Sequence, residues 1–124
     1  MTLLSFQTTV TGGGASDDAI PGSARVAVVS LSGELDVAGA ALLEHELARI
    51  SADHDPAGVV LDLTGLAFMD STGLRLVVLA DDRAKEQGRR FSVVRGNPDV
   101  HRVFEITRMV DRLEFVDSAA EVGG

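Results

Sequence analysis

The sequence predicts an α/β fold: one domain built on a mixed sheet with a parallel core, an antiparallel strand at its N-terminal edge, and three to four helices. Strand-like and helix-like segments alternate along the chain, which is the order that βαβ units produce. Residues 59–63 form a short apolar run rich in β-branched side chains, which is typical of a central parallel strand. The chain has 124 residues, the usual length of one domain, so residues 1–124 are assigned to a single domain.

The N-terminal segments predict two strands joined by a long connection. Residues 3–10 alternate loosely between apolar and polar side chains, whereas residues 25–31 are mostly apolar and end at Gly33. Between them, residues 11–23 include three consecutive glycines, a composition typical of a flexible loop. We therefore expect a hairpin in which the first strand runs antiparallel to the second.

Two helices are predicted in the middle of the chain. Within residues 37–50, Leu43, Leu47 and Ile50 recur at the spacing of one helix face. The second helix is predicted at residues 71–87 and stops before a glycine that suits a C-terminal cap. Its first half is apolar almost all round, so we expect it to be deeply packed.

The C-terminal third repeats the order of strand and helix. Residues 90–94 are predicted to form a parallel strand. Asn97 and Pro98 mark the start of a third helix, because proline suits the first helical position. A short last strand is expected at residues 113–116, and the tail, residues 118–124, adds at most a fragment of helix.

Composition and charge restrict the classes of partner. With 11 basic and 19 acidic residues the formal net charge is −8, which argues against nucleic acid and anionic membranes as partners because both require clustered cations. An acidic surface steers basic protein partners, although the same charge also serves solubility alone. There are no cysteines, no membrane-spanning apolar run and no recognisable signal sequence. We therefore expect a cytoplasmic protein.

Two strand-to-helix turns carry the candidate functional residues. One spans residues 31–36 and ends at Asp36, and the other spans residues 68–73 and contains Ser71. Successive right-handed crossovers bring both turns to the edge formed by the carboxyl ends of the parallel strands, where partners of such sheets bind. We therefore expect Asp36 and Ser71 to be neighbours in space.

The position of Ser71 at a helix start is compatible with two roles. Its hydroxyl lies beside backbone N–H groups without intrahelical partners, so the residue is suited to capping the helix, as Asp36 is at the first helix. A phosphate on the same hydroxyl would be favoured by the helix dipole, and would change the outer surface without unfolding the domain. The residues alone leave both roles open.

Three motifs resemble the STAS family, and within it the bacterial anti-sigma factor antagonists. Residues 33–36 (GELD) are similar to a Gly-Glu-hydrophobic-Asp turn of that family. Residues 59–63 followed by residues 68–74 (FMDSTGL) resemble its most diagnostic stretch, and residues 97–104 resemble its third helix. The resemblance covers residues 25–116 and implies a STAS-like domain that is not an enzyme and has no cofactor.

The resemblance also implies roles for individual residues. Ser71 matches the serine that is phosphorylated by a partner that is both anti-sigma factor and serine kinase, and Thr72 is the second choice of acceptor. Asp36 and Asp70 match positions that border the acceptor and help to shape the binding face. The predicted partner-binding residues are Asp36, Asp70, Thr72, Gly73 and Arg75.

The resemblance further implies a partner-switching cycle. The unphosphorylated form binds the kinase and frees the sigma factor, the phosphorylated form does not bind, and a PP2C-type phosphatase removes the phosphate. The protein is expected to be a monomer or a weak dimer without metal, nucleic-acid or membrane contacts. Two features depart from the family pattern. Members often have Gly-Leu-Gly after the motif, whereas here Arg75 follows Gly73 and Leu74, and the loop at residues 11–23 is longer than expected.

Three other functions are compatible with parts of the sequence. A STAS scaffold that is not phosphorylated, such as an accessory subunit of a lipid transporter or of a stress-sensing complex, usually lacks the serine or its neighbours. A receiver domain would use Asp62 as acceptor, but its acidic pair and late lysine are missing here. A hydrolase would need a glycine two residues before Ser71. It would also need a base, and His45, His54 and His101 are not placed to act as one.

Overall fold

Five strands form one sheet, and each strand pairs with its neighbour in sequence. The computed structural model describes residues 3–11 and 25–123, so the predicted loop lies outside this part of the chain except for Thr11, which ends the first strand. The first strand pair is antiparallel and the others are parallel, which confirms the predicted α/β fold with its antiparallel edge strand. The strands are β1 (Ser5–Thr11), β2 (Val26–Leu35), β3 (Gly58–Met69), β4 (Arg90–Val94) and β5 (Glu114–Val116).

A helix follows each of the parallel strands. The second and third helices begin where the sequence predicts, at Ser71 and at Pro98. The first helix continues past its predicted end at residue 50 and stops before Asp55, whose backbone is left-handed with φ of 44°. The helices are α1 (Val37–His54), α2 (Ser71–Glu86), α3 (Pro98–Ile106) and α4 (Ala120–Gly123), with a 3₁₀ turn at Met109–Asp111.

The main core lies between one face of the sheet and the three long helices. Leu43 of α1, Val77 of α2 and Phe104 of α3 are completely buried in one apolar cluster with alternate residues of β2, β3 and β4. A smaller cluster on the other face joins strand valines to the C-terminal segment; its members are Val26, Val60, Val94 and Val116, with Val28, Ala119 and Val122 packed against them. Because α1, α2 and α3 each follow the carboxyl end of a parallel strand, their N-termini emerge at the same edge of the sheet.

Two strands are longer than the sequence predicts. β3 continues past residue 63 to Met69, and β2 continues to Leu35. The prediction that Gly33 ends β2 is wrong, because its φ of 93° lets the backbone absorb a register shift and pairing with β3 continues at Glu34. Each strand therefore reaches the residue directly before a helix cap, and the two candidate turns are tighter than expected.

The packing of α2 also differs from the prediction. Leu76 and Val77 are buried, but Arg75 is exposed and the side chain of Leu79 is 37% exposed. The expectation of packing on almost every side is therefore wrong. Because α2 packs against one face of the sheet, one side of the helix is buried in the core and the opposite side remains on the surface.

Candidate functional site

The N-termini of α1 and α2 emerge side by side at one edge of the sheet. Leu35 and Met69, the last residues of β2 and β3, are paired in register, and each is followed directly by an aspartate. The backbone N–H of Asp70 donates to the carbonyl of Leu35 at 3.3 Å, which ties the two turns together. The expectation that Asp36 and Ser71 lie at the same edge is confirmed.

The two aspartates cap the two helices. The carboxylate of Asp36 accepts a hydrogen bond from the backbone N–H of Gly39 at 3.0 Å, and that of Asp70 accepts one from Gly73, also at 3.0 Å. Each bond satisfies a backbone donor that has no partner within its helix. From the sequence, Asp36 is compatible with capping the first helix, and the structure confirms this role. The contact of Asp36 with a partner remains a prediction.

Ser71 does not cap α2. The cap is Asp70, so Ser71 is the first helical residue, and within the described residues its hydroxyl makes no hydrogen bond. Its side chain is exposed at the sheet edge. Of the two roles that the sequence left open for Ser71, capping is therefore filled by its neighbour, and no residue among 3–11 and 25–123 hydrogen-bonds to the hydroxyl.

Gly73 is buried where the first turn of α2 crosses the end of β2. A Cβ at this position would lie 2.5 Å from the carbonyl oxygen of Leu35 and 2.8 Å from Cγ of Met69. Glycine is therefore needed for close approach between the helix and the strand ends. Gly73 therefore fixes the position of Ser71. A substitution of Gly73 would affect partner binding by displacing Ser71.

The surface around Ser71 combines polar and apolar side chains. Thr72 is half-buried and Arg75 is exposed, one turn further along α2. Two apolar residues at the same sheet edge are also exposed: Val37 at 67% and Phe68 at 49%. The sequence analysis did not identify this pair as part of the site. Val37 could have been found, because it lies off the inner face that defines the first helix.

The carboxylates with altered pKa stabilise the fold and lie outside this site. Hydrogen bonds from Arg49 lower the pKa of Glu46 to about 2, helped by the Thr8 hydroxyl, which donates to Glu46 at 2.6 Å and joins β1 to α1. Hydrogen bonds from Arg90 lower the pKa of Glu114 at the far end of the sheet. Glu46 thus joins α1 to β1 through Thr8, and Glu114 joins β5 to β4 through Arg90 and Ser92.

The geometry does not support the receiver or hydrolase alternatives. Asp62 lies inside β3 and its carboxylate accepts from the backbone N–H of Thr64, so it does not end a strand as a receiver aspartate does. The ring of His101 stacks edge-on against Phe115 in the aromatic cluster of α3 and β5, with centroids 5.0 Å apart. No group of side chains suited to a metal ion is present among residues 3–11 and 25–123.

A cleft of about 390 Å³ opens between α1 and α2, but it does not adjoin Ser71. Its lining is mostly apolar and includes Leu47, Ala80 and Phe91. None of the predicted site residues lines this cleft, so Ser71 stands on an open surface of the kind that a protein partner can cover. Over the described part of the chain, no helix has the length and apolar character that crossing a membrane requires.

Comparison with known proteins supports the resemblance drawn from the motifs. The STAS domain model matches residues 19–122. The anti-sigma-F factor antagonist RsfB of Mycobacterium tuberculosis is 33% identical over 72 residues, and the match spans 58% of this chain and 58% of RsfB. The anti-sigma-B factor antagonist of Bacillus subtilis is 30% identical over 77% of this chain and 84% of that protein.

A solved structure is similar over almost the whole chain. The crystal structure of an anti-sigma factor antagonist from Mycobacterium paratuberculosis has a TM-score of 0.72 and 26% identity, and the match covers 95% of this chain and 91% of that one. All three of these relatives are anti-sigma factor antagonists. The motifs identified in the sequence and the fold built from them therefore point to the same family.

Proposed function

This chain belongs to the STAS domain family, and on that premise we propose that it is an anti-sigma factor antagonist controlled by phosphorylation of Ser71. Its unphosphorylated form binds an anti-sigma factor that is also a serine kinase, and so releases the sigma factor. Phosphorylation of Ser71 blocks this binding, and a PP2C-type phosphatase restores it. The cycle takes place in the cytoplasm, and the domain acts as a monomer or a weak dimer.

The observation that carries the proposal is the free hydroxyl of Ser71. It is exposed on the first residue of α2, and the capping role next to it is filled by Asp70. A kinase can therefore approach the hydroxyl without breaking a hydrogen bond to any residue that the structure describes. In the reaction, the Ser71 oxygen bonds to the γ-phosphorus of ATP, the bond from that phosphorus to ADP breaks, and the hydroxyl proton passes to a base of the kinase.

The phosphate acts outward on the partner. At the N-terminus of α2 it lies where the helix dipole favours negative charge, so the fold tolerates it. On the surface it adds about 1.5 to 2 negative charges beside Asp36 and Asp70. A partner that packs on Ser71, Phe68 and Val37 loses contact and meets unpaired charge, which costs a few kcal/mol, or roughly tenfold to thousandfold in affinity.

The experiment uses variants that differ in charge at Ser71 as bait, and compares how much of the kinase each one retains from a lysate of the source organism. Parent and Ser71→Ala proteins should retain the kinase, whereas Ser71→Asp and Ser71→Glu should lose it with little change in thermal stability. Ser118→Asp is the matched control, because Ser118 lies at the start of another helix: its hydroxyl accepts from Ala120, the first residue of α4, and this segment packs on the other face of the sheet. It adds the same charge and should bind as the parent does.

Phosphorylation is tested with the captured kinase and ATP, followed by mass spectrometry of the modified peptide. Phosphate should appear on Ser71 and be absent from Ser71→Ala, with Thr72 as the alternative acceptor to be checked. If Ser71→Asp binds the kinase as tightly as the parent, the mechanism of charge repulsion is wrong. Absence of any phosphate transfer would favour the phosphorylation-independent STAS scaffold instead.

A further inference from the structure

Arg75 follows Ser71 by one turn on the exposed side of α2. Both side chains are exposed, and residues four apart on a helix have Cβ atoms about 5–6 Å apart. Within the described residues Arg75 forms no ion pair, whereas Arg83 of the same helix pairs with Glu44 at 3.0 Å. The guanidinium of Arg75 can therefore reach the space in front of the Ser71 hydroxyl.

Arg75 has no charged partner on its own helix in the unmodified protein. The first turn of α2 contains no acidic residue, and the N-cap carboxylate of Asp70 lies five positions before Arg75, outside the spacing of three or four at which helix side chains meet. The helix neighbours three and four positions from Arg75 are all uncharged: Ser71, Thr72, Val78 and Leu79. Since Arg75 is also exposed, neither packing nor an intrahelical ion pair accounts for a cation here.

Phosphorylation changes one of these four neighbours into an anion. Asp36 and Asp70 each accept a hydrogen bond from the backbone amide that they cap, and neither forms an ion pair with Arg75 in the described part of the chain. An arginine binds phosphate through two parallel N–H donors, and such charged pairs are about twice as strong as neutral hydrogen bonds. With phosphate on Ser71, such a partner stands four positions from Arg75, at helical spacing.

We propose that Arg75 binds the phosphate carried by Ser71 and positions it in the phosphorylated protein. This inference rests on the proposed phosphorylation of Ser71. The contact offsets repulsion between the phosphate, Asp36 and Asp70, and holds the phosphate against α2. It also occupies the Arg75 guanidinium, so phosphorylation removes a free cation from the binding face as well as adding negative charge.

The test uses protein with phosphoserine incorporated at position 71 during translation, so no kinase is needed. The phosphate is titrated by ³¹P NMR between pH 4 and 8 in the parent and in Arg75→Gln, Arg75→Lys and Arg102→Gln. Arg102 is an exposed arginine of α3 and serves as the matched control. We expect Arg75→Gln to raise the midpoint of the phosphate titration by about 0.3–0.7 pH unit, since an ion pair at this spacing favours the dianion.

Arg75→Lys should give an intermediate midpoint, and Arg102→Gln should match the parent. Arg75→Gln should also lower the melting temperature of the phosphorylated protein, but not that of the unmodified protein, where Arg75 forms no ion pair with the described residues. An identical titration midpoint in the parent and Arg75→Gln would overturn the proposal. Because the phosphate is installed without a kinase, this result stands whether or not a kinase partner is found, and the two proposals can fail separately.

Discussion

Replacement of Gly73 by alanine tests whether close packing at the strand ends fixes the position of Ser71. The new Cβ would lie 2.5 Å from the Leu35 carbonyl oxygen and 2.8 Å from Cγ of both Leu35 and Met69. The nearest atom is backbone and cannot swing away, so the first turn of α2 must move by about 0.9 Å to reach ordinary contact.

The expected cost follows from two opposing effects. Overpacking of a buried site costs about 1–3 kcal/mol, and alanine regains up to about 1 kcal/mol over glycine in helix propensity. Because the clash is with backbone, the overpacking cost lies in the upper part of this range, about 2–3 kcal/mol, and subtracting about 1 kcal/mol leaves an expected loss of about 1–2 kcal/mol in the free energy of unfolding. For a domain of this size that corresponds to a fall in melting temperature of about 4–8 °C.

Thermal and urea unfolding followed by circular dichroism measure this loss of stability. The rate of phosphate transfer to Ser71 shows whether the residue has been displaced. Thr72→Ala is the matched control: it introduces alanine into the same helical turn at a half-buried position and should change the melting temperature little. A Gly73→Ala protein as stable as the parent would show that the strand ends yield without cost, and that glycine is not needed for the geometry of this edge.

Two further predictions concern the carboxylates. Because the pKa of Glu46 is lowered from 4.5 to about 2, its ionised form stabilises the folded state above pH 4.5, and this contribution is lost as the pH falls towards 2. Glu46→Gln should flatten the dependence of unfolding free energy on pH in that window, as measured by urea unfolding; an unchanged slope would refute the assignment. Asp70→Ala should cost about 1 kcal/mol through loss of the α2 cap, and Asp70→Asn should retain most of that stability.

Local sequence patterns predicted most of the architecture. The apolar run at residues 59–63 marked the centre of the sheet, and Asn97 with Pro98 marked the start of α3, because these signals depend on nearest neighbours along the chain. The ends of β2 and β3 were not predictable in this way. Both strands extend because they pair with each other, and Gly33 permits a register shift that only the partner strand makes visible.

The candidate site was likewise predicted only in part from the sequence. The sequence alone placed Ser71 and Asp36 at the starts of two helices, since each follows a strand and precedes an amphipathic segment. Only the tertiary structure decided that Asp70 takes the capping bond and leaves the Ser71 hydroxyl exposed, because that choice depends on backbone angles at one turn. The exposure of Phe68 likewise depends on which face of the sheet the three helices cover, and local pattern does not specify this.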